Sequence, residues 1–131
     1  MKHRILLCVL SLSLLTLGCN NPNIKFSGKV TFPDGQPLTT GLVCFSTSAF
    51  MASGELQADG TYSLGSLSEN DGIPPGKYKV YVQGAVEEIN GKTTPLIDPK
   101  FTASGSTPLE YEVAKGVSPR FDFVVEYPPK R

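Results

Sequence analysis

The sequence predicts an all-β fold, a seven-stranded antiparallel β-sandwich preceded by a signal-peptide helix. Three observations lead there. Apolar and polar residues alternate with period two in several short runs, as strands with one buried face require. Glycine and proline are abundant, 13 and 11 of 131 residues, and they fall between those runs, where turns need them. No stretch after residue 19 carries the spacing of an amphipathic helix. At 40% hydrophobic and 18% charged, the chain has the apolar content to fold, and its length suits one domain.

The amino-terminal segment is of another kind. Lys2, His3 and Arg4 form a positive start, Ile5 to Leu17 is almost wholly apolar, and Gly18-Cys19 precedes the polar Asn20-Asn21-Pro22-Asn23. This is the layout of a secretory signal peptide. The apolar run falls short of the roughly 20 residues that span a membrane. Leu15-Thr16-Leu17-Gly18-Cys19 resembles the bacterial lipobox, in which the cysteine becomes the first mature residue and is acylated. Thr16 stands where that motif usually has leucine. The resemblance implies cleavage between Gly18 and Cys19 and a lipid anchor on Cys19; an ordinary secreted protein cut nearby is the alternative. The expected organisation is a signal peptide over 1–18, a lipidated cysteine and short tether over 19–23, a β-domain over 24–127 and a frayed tail from Tyr127, with 128–131 outside the domain. Four tether residues reach roughly 14 Å at most, which would hold the domain against the membrane.

The strands follow in order. Ile24, Phe26, Val30 and Phe32 share one face of the first, and Pro33-Asp34-Gly35-Gln36 ends it. Gly41 to Thr47 is the second, with Val43 and Phe45 inward. Gly54–Ala58 and Thr61–Ser66 flank Asp59-Gly60, a strong hairpin signal. Lys77–Gln83 has Tyr78, Val80 and Val82 on one face; Leu109, Tyr111 and Val113 alternate with Glu110 and Glu112. Phe121, Phe123, Val125 and Tyr127 mark the last strand. The stretch from Ala85 to Pro108 reads as a long loop. Leu96, Ile97 and Phe101 within it are candidates for a binding loop, although covering one end of the domain is the preferred role for them.

Several of these runs are familiar. Phe26-Ser27-Gly28-Lys29-Val30-Thr31-Phe32, Asp34-Gly35-Gln36-Pro37-Leu38, Gln57-Ala58-Asp59-Gly60-Thr61-Tyr62-Ser63-Leu64 and Pro74-Pro75-Gly76-Lys77-Tyr78-Lys79-Val80-Tyr81-Val82 resemble the carboxypeptidase regulatory-like domain. The resemblance covers roughly residues 24–127. It implies a transthyretin-like, Ig-like sandwich of the kind carried by small bacterial lipoproteins, and it implies no activity.

The residues argue against catalysis. The one histidine, His3, lies in the signal segment, and there is no tryptophan. Zinc sites favour His and Cys ligands, so no metal and no cofactor is expected. Transthyretin-like hydrolases use histidines and a different carboxyl terminus, so that activity is not expected either. Cys44 has no histidine to activate it and reads as a structural residue between Val43 and Phe45. If Cys19 is not acylated, a Cys19–Cys44 disulfide remains open. Asp34, Asp59 and Asp71 read as turn residues. Lys29 and Asp122 are the nearest candidates for a covalent Lys–Asp cross-link, and both fall on the outward side of the alternation. Loss of residues 1–18 removes Lys2 and Arg4, leaving ten basic against twelve acidic residues; no basic stripe suggests nucleic acid.

The expectation is a non-enzymatic lipoprotein of the bacterial cell envelope, held on a membrane facing the periplasm or exterior through Cys19. It would be structural or would bind an envelope protein. The alternative is a carbohydrate-binding module, for which Tyr81, the one strand aromatic on the outward side of the alternation, is the candidate glycan contact.

Overall fold

The computed structural model describes residues 23–66, 68 and 71–130. The signal peptide, Gly18 and Cys19 lie outside the described residues. The fold is all-β. Nine strands occur among the described residues: β1 (Ser27–Thr31), β2 (Leu42–Ser46), β3 (Met51–Glu55), β4 (Thr61–Ser63), β5 (Gly76–Gln83), β6 (Val86–Ile89), β7 (Lys92–Pro95), β8 (Leu109–Val113) and β9 (Phe123–Val124). A single 3₁₀ turn, Pro99–Thr102, precedes β8. Seven of the nine fall in segments marked by alternation. The other two, β6 and β7, form a hairpin where a loop was expected.

The strands make three sheets, ordered β4-β1-β9, β3-β2-β5-β8 and β6-β7. All pairings are antiparallel except one: β1 and β9 run parallel, with Val30 opposite Phe123 and Thr31 opposite Val124. The fully antiparallel expectation is corrected there, because β9 arrives from the same end as β1. The two larger sheets feed one buried cluster, in which Val30, Tyr62 and Phe123 from the first meet Val43, Phe45, Val80 and Val82 from the second. Val43, Cys44 and Phe45 are all fully buried. β2 lies between β3 and β5, and both its faces are covered.

The Asp-Gly signal is half right. Gly60 N donates to Gln57 O (2.9 Å) and Gln57 N to Thr61 O (2.8 Å), so a tight turn forms with Gly60 at φ 83°, a value only glycine reaches freely. Asp59 Oδ1 accepts from the Thr61 amide (3.1 Å) and hydroxyl (2.6 Å). Those bonds, the hydroxyl's first, hold the Asp59 carboxyl below its usual range. The turn at Phe32–Gln36 repeats the pattern, with Gly35 N on Phe32 O and Phe32 N on Gln36 O. Yet the arms of the Asp59-Gly60 turn, β3 and β4, enter different sheets and meet again only at Ser53–Gly65. The third strand also starts earlier than alternation suggested, because Thr47 N closes on Phe50 O at 2.8 Å and sets Met51 opposite Ser46.

Candidate interaction surface

The topology gives the domain two ends. Ile24, the point where the described chain leaves toward residue 19, pairs with Ile73, just before β5 begins at Gly76. β5 runs eight residues to Gln83, about 26 Å at strand rise. The β6–β7 hairpin follows at once, so it projects from the end opposite Ile24.

All eight residues of the hairpin strands are exposed. Asn90 and Gly91 make its turn, with φ 52° and 75°, the double positive-φ turn that suits the twist of a two-residue hairpin. Val86 faces Pro95, Glu87 faces Thr94, Glu88 faces Thr93 and Ile89 faces Lys92. Its base is closed by Leu96 N on Ala85 O at 2.9 Å. Val86 and Ile89 stay 42% and 51% exposed, and an isolated two-stranded hairpin is marginal in water. The element contributes nothing to the core and presents two carboxylates, two aliphatic side chains and unpaired strand edges to the surroundings.

The expected binding loop is placed differently. Ile97 and Phe101 are 1% and 3% exposed and belong to the core cluster, with Leu96 packed against it. They close one end of the domain, the role preferred for them from the sequence, and are too buried to serve as the alternative binding loop. The backbone explains why: Asp98 accepts from Lys100 N (3.0 Å) and donates its own amide to Glu126 O (2.9 Å), which turns Phe101 inward. The exposed β6–β7 hairpin lies just before them. Its sequence signal was Asn90-Gly91 between two short polar runs.

Tyr81 is the second correction. It does point away from the core cluster, opposite Cys44, but it is 6% exposed and its hydroxyl lies 3.7 Å from Met51 Sδ. A buried ring offers no platform for a sugar. Cys44 is a free thiol; burial pushes it up to about 11, against the activation a nucleophile needs. Asp122 accepts the Lys29 backbone amide at 2.9 Å and pairs with Arg120 Nε, so its carboxylate meets the main chain of Lys29. The tail expected to fray from Tyr127 is held there: Tyr127 stacks on Phe32 at 4.0 Å and donates to Asp34 Oδ2 at 2.9 Å. Asp71 receives the Ser66 amide at 2.6 Å and shapes the loop beside Ile73.

A concavity of about 510 Å³ opens where β3 and β4 part. Ser53, Gln57, Thr61 and Ser63 line it, with Glu55 as its sole acidic group. Such a lining holds neither a general acid–base pair nor an activated nucleophile. Among the described residues no cluster of three or more metal-ligating side chains occurs, and no helix is long and apolar enough to cross a membrane. Comparison with family models, with curated proteins and with solved structures finds no match for this chain.

Proposed function

We propose that this chain is a non-enzymatic lipoprotein of the bacterial cell envelope, anchored through acylated Cys19, whose β-domain presents the β6–β7 hairpin to an envelope protein. In this reading the two larger sheets pack as a β-sandwich of the carboxypeptidase regulatory-like kind. The charged start, short apolar run and Gly18-Cys19 support the anchor. Two or three acyl chains hold a protein on a membrane where one does not.

The observation that carries the reading is the placement of a ten-residue hairpin, exposed throughout, at the end of β5 remote from Ile24. An anchor at one end leaves the other free to reach a partner. A short hairpin that buries nothing in its own chain gains stability by adding its edge strand to a second protein. The test is a photoreactive residue at Glu88 in intact cells, with one at Val117 as control. Capture of one defined envelope protein from position 88 alone, lost in Cys19→Ser, is the expected result. Equal capture at both positions, or none at 88, refutes it.

A further inference from the structure

A second concavity is chemically unlike the first. A groove of about 460 Å³ crosses the outer face of the four-stranded sheet and is lined by Ser46, Thr47, Ser48, Lys77, Lys79, Ser104, Gly105 and Glu110. Lys77 and Lys79 are two apart on β5 and therefore share that face. Lys79 Nζ is 3.6 Å from Glu110 Oε2. Lys77 makes no ion pair among the described residues, even with its cross-strand neighbour Glu112.

The hydroxyls are also unspent. Ser46, Ser48 and Ser104 have no side-chain hydrogen bond among the described residues. Thr47 Oγ1 accepts the Ala49 amide at 3.2 Å and keeps its proton to donate. The groove thus offers two ammonium groups and four O–H donors. Its one carboxylate lies beside Lys79. A lining rich in donors and poor in free acceptors suits a ligand group that only accepts.

We propose that this groove binds a phosphoryl group. The phosphoryl oxygens would take the Lys77 and Lys79 ammoniums and the serine and threonine hydroxyls, with no covalent change. Its position suggests how such a group arrives. Lys77 and Lys79 stand in the first half of β5, at the end where Ile24 pairs with Ile73, and the β2–β3 turn that carries Thr47 and Ser48 closes the same side. The source is either a phospholipid headgroup or a small phosphate ester in solution. The site itself does not depend on the hairpin or on Cys19.

The test follows backbone amide NMR shifts of the full-length protein in phosphatidylcholine nanodiscs. Glycerol 3-phosphate is added up to about 10 mM, matched for ionic strength with chloride. In a second arm, phosphatidylglycerol replaces part of the lipid. Saturable shifts at Ser48, Lys77, Lys79 and Ser104 with the free ester identify a soluble ligand. Shifts only with phosphatidylglycerol identify a headgroup site. In either case Lys77→Gln/Lys79→Gln weakens binding by about tenfold or more. Absence of shifts in both arms overturns the proposal. So does an equal response to chloride, or a double variant that titrates like the wild type.

Discussion

Tyr62 and Gly28 show how one residue fixes another. Tyr62 is buried and its hydroxyl donates to Phe121 O at 2.6 Å, tying β4 across β1 to the approach of β9. That line passes over Gly28, where an added Cβ would sit 2.0 Å from Phe121 O and 2.5 Å from the Tyr62 hydroxyl oxygen. Gly28→Ala therefore has to push β9 away, and it should cost more than Tyr62→Phe, which leaves one carbonyl unpaired at about 1–2 kcal/mol. Urea midpoints of the two variants decide the order. Burial also sets the alkaline limit of stability. Burial is the first cause raising both Tyr62 and Tyr78, and it moves Cys44 from 9.0 to about 11. In each case the unfolded chain loses its proton first. Stability is then full below the unfolded value and falls as pH rises toward the folded one. Unfolding free energy should drop between pH 9 and 11, and Cys44→Ala should remove part of that slope.

At the scale of elements, the segment from 85 to 108 divides into a part that holds the fold and a part that does not. Ile97 and Phe101 fill the core end; Phe101→Ala should cost about 3–5 kcal/mol by the usual cavity penalty. Replacing residues 86–95 by two glycines should change the unfolding free energy by less than about 1 kcal/mol, since every strand residue removed is exposed. A loss as large as that of Phe101→Ala would mean that the hairpin is structural. Alternation revealed most strands because Phe26, Val30, Tyr78 and Val80 put one whole face into the core. It missed β6 and β7 for the same reason: with neither face buried, Val-Glu-Glu-Ile and Lys-Thr-Thr-Pro carry no period, and only the Asn90-Gly91 turn marks them. It put Tyr81 on the right face but wrongly in the open, because period two states only which face a side chain takes. It does not say whether neighbours such as Met51 will cover it. The donor-rich groove was illegible for a further reason. Its residues come from β2 and the turn after it, β5, β8 and the loop before β8, and only the folded sheet brings them together.

At the scale of the molecule, Ile24 and the hairpin lie at opposite ends of β5, and with the proposed anchor attached beyond Ile24 this orients the domain on the membrane. The chain has no tryptophan, so a single introduced indole reports unambiguously. In the lipidated protein on vesicles, Val117→Trp, in the loop at the Ile24 end, should be quenched by headgroup-labelled lipid. Ile89→Trp at the hairpin tip should not. Equal quenching at both sites would mean a domain lying on its side.

The parallel pairing of β1 with β9 has a temporal consequence. A chain made from its amino end produces β1 well before β9, and Val30 has no Phe123 beside it until some ninety residues have followed. β2, β3 and β5 can form as neighbours before β9 has been made, but the β9-facing edge of β1 stays open until then. A nascent or threading chain therefore keeps that edge of β1 open over those ninety residues.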